Sequence, residues 1–380
     1  MKNVSDLVEL HGCISEGYFA VMRKYGLESY STEPLIPKDD DSILFTNSTI
    51  VPLKGKFLSG DYSGNGYFLL QDCLRLASIK TVEDEESVLK HVSCFKMLGS
   101  LVPSCHLDLA INAALEFLVD VVGIKSKDLI VLIPSGSEFW HEIFSAQNIF
   151  TQEVEAYEWK YGIAGVKGLG MAFAIRLANG TVGRLGNFVA MYQDGKLSAY
   201  EFGFGLETLI GRAILAGNPF SGSIQFAVTG LPDNQESYKI SNLVGIISAM
   251  FVAGVNKKEF RSRWFLLTRS LRILTMIAIR NQIKSEELIS WIRNFSIYFF
   301  GREDIVDCFA SQLLLRWDQI SNAQSRFANW LNSQQQLYRS RGMEVLRFTD
   351  RESVLRYAEE QYFLSRETTL SLLSQYEPWR

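Results

Sequence analysis

Nothing in this 380-residue chain reads as a membrane span. The most apolar run, Phe265–Ile279, is broken by Arg269 and Arg272 and suits a buried or interface helix. The N-terminus has no basic–apolar–small pattern, so secretion is not expected and a cytoplasmic location is. Five cysteines (13, 73, 94, 105 and 308) are scattered without a CxxC, which excludes a disulfide scaffold and fits reduced thiols. Four histidines (11, 91, 106 and 141) are too few and too isolated for a zinc site, and no metal site is expected. Net charge is −4, so any case for nucleic acid must come from a local patch. There are no internal repeats, no low-complexity segments and no Ser/His/Asp or Cys/His arrangement.

What is present is the composition of a core-forming protein, 47% hydrophobic and 21% charged, on a length that suits two domains. Leu7, Leu10, Ile14, Tyr18, Phe19 and Met22 recur at helical spacing within Asp6–Tyr25, and Gly26 sits where a helix C-cap belongs. Pro34, Pro37 and Asp39–Asp41 form a turn before a short buried strand, Ile43–Thr46. Asp61–Gly66 is a glycine-rich turn into the apolar Tyr67–Leu70, and Thr81–Ser87 is an acidic loop. His91–Leu98 is strand-like and ends at Gly99. Leu107–Val122 is an apolar helix, and Asp128–Pro134 a buried strand stopped by proline. Ser137 is the N-cap candidate of a helix over Ser137–Ile149, and Ala172–Leu177 is a further strand.

Phe188–Tyr192 and Lys196–Phe202 alternate around Gln193-Asp194-Gly195 and predict an antiparallel hairpin. Its second strand runs into Gly203-Phe204-Gly205, where a helix begins. With few regular βαβ repeats, the first half predicts a mainly antiparallel sheet with helices against it, an α+β fold. From Ser241 onward the pattern is all-α: Ser241–Ala253, Phe260–Gln282, Glu286–Phe300, Arg302–Arg341 and Arg366–Gln375. The boundary falls within Gly217–Asp233, giving expected domains 1–220 and 234–380.

Three stretches carry candidate chemistry. Gly165-Val-Lys-Gly168-Leu-Gly170 looks like a phosphate loop, but it lacks Lys-[Ser/Thr] and precedes a strand, so it reads as a flexible turn. Lys257, Lys258, Arg261, Arg263, Arg269, Arg272 and Arg280 face only Glu259 in one helical element. That excess suits either a phosphate footprint or stems snorkelling beside Trp264 and Phe265. Glu201 precedes the glycine junction and is either an ammonium ligand or a surface glutamate on an alternating strand.

The order of these segments resembles the N-terminal half of alanyl-tRNA synthetase, a class II aminoacyl-tRNA synthetase. Pro34-Leu-Ile-Pro37 through Asp41-Ser-Ile-Leu-Phe-Thr-Asn47 resembles its SLVP…DPTLLFTNAGM, and Gln71-Asp-Cys-Leu-Arg75 its SQRCVRAG. Lys90–Gly99 resembles RHHTFFEMLG, which is motif 2. Gly186–Met191 resembles WNLVFMQ, and Glu201–Thr208 resembles DTGMGLER, motif 3. In the helical half, Met250–Val255, Arg263–Arg272 and Tyr357–Leu370 continue the likeness in colinear order.

The resemblance implies a class II antiparallel sheet flanked by helices, followed by an all-α tRNA-recognition domain. It also implies adenylation of an amino acid with ATP and Mg²⁺, then transfer to tRNA. Carried over position by position, Lys90 is the catalytic candidate, and Lys90, Phe95, Lys96 and Glu207 are ATP-binding. Asn187, Glu201, Gly203 and Gly205 bind the amino acid. Lys257, Lys258, Arg261, Arg263, Arg269 and Arg272 meet tRNA or another phosphate-rich partner.

The departures concentrate on ATP. Lys90 replaces the motif 2 arginine and loses the bidentate fork, Lys96 replaces the glutamate, and Thr208 replaces the motif 3 arginine. By analogy with arginine fingers, loss of a transition-state arginine costs ~3–5 orders of magnitude. Ala174 stands where the GPCGPCSEI segment has its glutamate. Gly186 replaces the tryptophan that walls the alanine pocket, which predicts a larger amino acid. The acceptor-stem PSN signal is replaced around Asn256-Lys257-Lys258, leaving phosphate contact without base recognition.

The first reading is thus a diverged paralogue that binds an amino acid other than alanine, or its adenylate, and activates or transfers it outside translation, to a small molecule or carrier protein. A catalytically silent tRNA- or partner-binding paralogue comes second, and a truncated working alanine–tRNA ligase last. A homodimer through the apolar Leu7–Met22 face is one expectation, and internal packing of that face is the other.

Overall fold

The computed structural model describes residues 3–380 except 39, 41, 77–78, 85, 162, 178–179, 216, 258–260, 344–345, 363, 365, 378 and 380. Lys258, Asp39, Asp41, Glu85 and Phe260 of the sequence expectations therefore lie outside the described residues. The strands are β1 (Glu28–Ser29), β2 (Tyr67–Leu74), β3 (Cys94–Pro103), β4 (Leu129–Pro134), β5 (Phe150–Val154), β6 (Glu158–Lys160), β7 (Val166–Arg176), β8 (Val182–Gln193) and β9 (Lys196–Gly205). They form one sheet in the order β1-β2-β3-β9-β8-β7-β4-β5, with β6 added on β7. The sheet is mixed: β1/β2 and β4/β5 are parallel, and every other described pair is antiparallel.

The helices of the first half are α1 (Val4–Lys24), α2 (Ile50–Ser59), α3 (Ile79–Glu83), α4 (Leu107–Glu116) and α5 (Glu138–Ser145). After β9 come α6 (Leu206–Leu209), α7 (Ile224–Thr229), α8 (Gln235–Val252), α9 (Arg261–Arg280), α10 (Ser285–Phe300), α11 (Val306–Ser321), α12 (Ala323–Arg341), α13 (Arg351–Tyr357) and α14 (Arg366–Leu373). Past β9 every described element is helical, so the α+β sheet followed by an all-α region is as expected.

Contacts divide the chain into one unit of Met1–Leu267 with Trp291–Glu303 and a second of Thr268–Ser290 with Asp304–Arg380. In the first, the aromatic face of the sheet takes the helices. Tyr18 of α1 meets Phe117 edge-on at 4.9 Å, and Phe117 meets Phe204 of β9 at 5.5 Å. The Tyr18 and Ser100 hydroxyls share a hydrogen bond of 2.6 Å. Leu7, Tyr18 and Met22 are buried in the chain's own core, so internal packing accounts for the α1 face that had also suggested a dimer. The second unit has its own core, in which Phe327, Leu331, Val354, Ala358 and Leu373 are buried.

Several local expectations are corrected. Ile43–Thr46 is not a strand but a bend, held where the Thr46 hydroxyl donates to the Pro34 carbonyl at 2.6 Å. Gly99 does not end its strand: β3 runs through it to Pro103, because pairing with β2 and β9 on both sides supplies what local propensity lacks. Gly165–Gly170 is not a flexible turn, since Val166 onward belongs to β7. Ser137 occupies the N-cap position of α5 but makes no side-chain cap bond, and the helix ends at Ser145. Arg302–Arg341 is two helices broken at Asn322.

Candidate functional site

The hairpin makes the site. Asp194 and Gly195 turn with φ of 50° and 79°, the mirror-image turn that matches strand twist. β8 and β9 are thereby locked in register, with Asn187 opposite Gly203 and Val189 opposite Glu201. Side chains alternate across a strand, so Phe188, Phe202 and Phe204 enter the core while Asn187, Val189, Glu201 and Gly203 share the other face.

Two cavities open there. The first, of about 500 Å³, includes Glu201, Trp159, Tyr161, Lys54 and Ile50 in its lining. The second, of about 510 Å³, includes Lys90, His91, Phe95, Arg184, Thr208 and Arg212. Arg75, Met97, Asn187 and Gly203 line both.

Glu201 is 8% exposed, which overturns the surface-glutamate alternative. Its Oε2 accepts a hydrogen bond of 3.0 Å from the Tyr161 hydroxyl. Burial pushes its pKa up to about 7, against the Tyr161 bond and the positive charge of Arg75. Tyr161 reaches it, and Trp159 lines the same cavity, because β6 pairs alongside β7 with Trp159 opposite Gly168. A Cβ there would sit 2.5 Å from Val189 Cγ1, 3.0 Å from Tyr161 Oη and 3.1 Å from Trp159 Cβ. Glycine at 168 thus serves close approach of an aromatic strap, not a flexible loop.

Arg75 stands on the border. Its Nε donates to the Asn47 carbonyl at 2.9 Å, and its guanidinium lies 4.8 Å from the Phe95 ring centroid. With Lys90, Arg184 and Arg212 it makes the second cavity cationic, and no carboxylate is among that cavity's lining residues. The pKa of His91 is lowered by burial first, then by Arg212, Arg75 and Lys90. The lining fits the phosphates of a nucleotide, but it offers a magnesium ion no carboxylate oxygen.

Of the expected site residues, Asn187, Glu201, Gly203, Gly205, Lys90 and Phe95 all line these two cavities. Lys96 and Glu207 do not. The Lys96 ammonium pairs with Asp72 at 2.7 Å and sits 4.3 Å from the Phe299 ring, in a separate cavity. Glu207 is fully buried and accepts from the Lys96 backbone N–H at 3.1 Å; burial raises its pKa to about 8. Gly186 also departs from expectation. It lines the second cavity and not the first, and a Cβ there would meet the Phe204 ring and the Gly203 carbonyl on the core face, so the missing indole does not enlarge the first cavity.

The basic stretch is not one surface feature. Lys257 and Arg261 are exposed, whereas Arg263 is half-buried, with Nε donating to the Leu44 carbonyl at 2.7 Å and its guanidinium 5.7 Å from the Phe45 ring. Arg269 and Arg272 are half-buried within the second unit. Sequence reasoning missed Arg75 as a site residue, and also Trp159, Tyr161, Arg184 and Arg212. The alternation Tyr157, Trp159, Tyr161 was a readable strand signal; Arg212 is signalled only by standing four residues after Thr208.

The family described as tRNA synthetases class II (A) matches residues 14–168. The alanine–tRNA ligase of Elusimicrobium minutum (strain Pei191) is 27% identical over 159 residues, 39% of this chain and 18% of that protein. That of Ehrlichia ruminantium (strain Gardel) is 30% identical over 151 residues, 37% of this chain and 17% of that protein. That of Halorhodospira halophila is 27% identical over 152 residues, 38% and 18%. The matches thus span under a fifth of these relatives' length. Among solved structures, apo S. aureus histidyl-tRNA synthetase overlays with a TM-score of 0.36 at 11% identity, covering 53% of this chain and 68% of that one. Asn187, Glu201 and Arg212 lie beyond the matched family segment, so their roles rest on geometry. Residues 14–168 thus match the class II tRNA synthetase (A) family, and the same region is similar, at low identity, to alanine–tRNA ligases.

Proposed function

We propose that this chain is a diverged alanyl-tRNA synthetase-like protein that binds an amino acid other than alanine in the first cavity, beside the phosphates of ATP or an adenylate in the second, and activates or transfers it outside translation. The observation that carries the reading is Glu201: a buried carboxylate at the floor of one cavity, next to a second cavity walled by cations. A buried carboxylate is costly unless a donor meets it, and Tyr161 reaches only Oε2. A substrate ammonium on Oε1 would complete it.

Each residue then has a task. Glu201 orients the ammonium, and Arg75, on the shared border, holds the carboxylate or the phosphate joined to it. Lys90, Arg184 and Arg212 hold phosphate oxygens, and the Trp159–Tyr161 strap keeps water from the ammonium. ATP, when bound, would supply the adenylyl group. A methyl side chain would leave most of the 500 Å³ cavity unfilled, which favours a larger amino acid.

A silent binding paralogue is the second reading, favoured by Thr208 and by Lys96 being engaged with Asp72. ATP–pyrophosphate exchange across a panel of amino acids separates the two. Exchange with an amino acid other than alanine supports the first. Exchange with alanine alone identifies a working ligase. No exchange and no amino-acid binding, with tRNA retained on a filter, establishes the silent paralogue.

A further inference from the structure

Arg212 is a half-buried cation with too few acceptors. It lies in the turn Ile210–Ile214, where the Leu215 N–H donates to the Ile210 carbonyl at 2.9 Å, an i→i+5 bond. That wide turn places Arg212 one turn beyond Thr208, and both line the second cavity. A guanidinium carries five donors. Among the described residues Arg212 spends one, from Nη1 to the Arg184 backbone carbonyl, and no carboxylate lies within ion-pair distance. Burial lowers its pKa, the sign of a charge short of solvation. Lys90, Arg184 and Arg75 face the same space, so four like charges converge without a counter-charge.

We propose that Arg212 is the phosphate clamp of this cavity. It supplies from one helical turn further on the guanidinium that position 208 lacks, and its ligand is a phosphate group attached to adenosine. This assignment rests on the reading of the second cavity as a phosphate site. The Arg184 carbonyl holds one edge of the guanidinium and leaves the remaining N–H groups for two phosphate oxygens. Thr208, being short, leaves the approach open.

The test is calorimetric titration of the full chain with ATP and, separately, adenosine, for wild type, Arg212→Met and Arg212→Lys, each checked by thermal melting. Losing charge-assisted hydrogen bonds predicts that Arg212→Met weakens ATP by about 10- to 150-fold and leaves adenosine within about twofold. Arg212→Lys falls between, since it keeps charge without the fork. ATP bound equally well by Arg212→Met overturns the clamp and leaves the nucleotide cavity standing. Equal losses of ATP and adenosine with a lowered melting temperature make Arg212 structural and also overturn it. Wild type that binds adenosine no worse than ATP overturns the phosphate reading of the cavity, and the clamp with it.

Discussion

Replacing Glu201 by glutamine should change stability and affinity in opposite directions. The buried carboxyl has a pKa of about 7 against an ordinary 4.5. Because the folded value is raised, its stability contribution is fully present below about pH 4.5 and is lost as pH rises through 7. A shift of that size corresponds to on the order of 3 kcal/mol at pH 8. Glutamine keeps an acceptor for Tyr161 and carries no charge, so Glu201→Gln should be more stable than wild type at pH 8, by on the order of 1–3 kcal/mol, and equal to it near pH 4.5. Ammonium binding needs the ionised carboxylate. Wild-type affinity for its amino acid should therefore rise about tenfold per pH unit up to 7 and then level off. Glu201→Gln should lose about 2–5 kcal/mol of that affinity, the cost of truncating one partner of a buried charge pair. Urea denaturation at pH 5, 6, 7 and 8, with calorimetry at the same values, reads both effects. Unchanged denaturation at pH 8 together with unchanged, pH-independent binding would refute the placement of the ammonium on Glu201.

Tyr161→Phe removes the bond that lowers the Glu201 pKa, so the midpoint of affinity against pH should move up by about one unit; an unmoved midpoint means that the 3.0 Å contact contributes nothing. Gly168→Val forces a side chain against Val189, Tyr161 and Trp159 and should cost about 1–3 kcal/mol in denaturation while weakening amino-acid binding; wild-type values for both would remove the strap's role. Arg263→Ala should lower stability by about 1 kcal/mol through loss of its bond to the Leu44 carbonyl. Reduced tRNA retention at unchanged melting would instead make Arg263 a nucleic-acid contact. Phe327→Ala should cost about 3–5 kcal/mol, read as the loss of a melting transition assigned to the second unit.

The parts of the fold legible in the sequence were those governed by neighbours along the chain. The 188–202 alternation with Asp194-Gly195 set the hairpin and, with it, the shared face of Asn187 and Glu201. What local reasoning missed was decided by long-range pairing. Gly99 and Gly168 look like breakers until β2 and β9 flank the one and β6 and β8 flank the other. Lys96 was placed correctly on its strand, but parity sent its side chain to the opposite face from Phe95 and Met97. Gly186 misled for the same reason: two residues before Phe188, it shares that residue's core face and not the face of Asn187. Arg212 was invisible because its distance from Thr208 is meaningful only on a helix whose turn type the sequence does not announce.

Arg75 belongs to the walls of both cavities. Occupants on either side of it are therefore not independent. On the proposed reading, an anion drawn to its guanidinium from the second cavity would weaken the hold on a carboxylate from the first, and by linkage the reverse would hold to the same degree. Two separate ligands would meet as competitors for one charge. A single molecule in which carboxyl and phosphate are already joined would satisfy Arg75 once and occupy both cavities at the effective concentration of a tether. On that reading the joined species would be favoured over its two halves, a preference that would sit in one side chain and not in the size of either cavity.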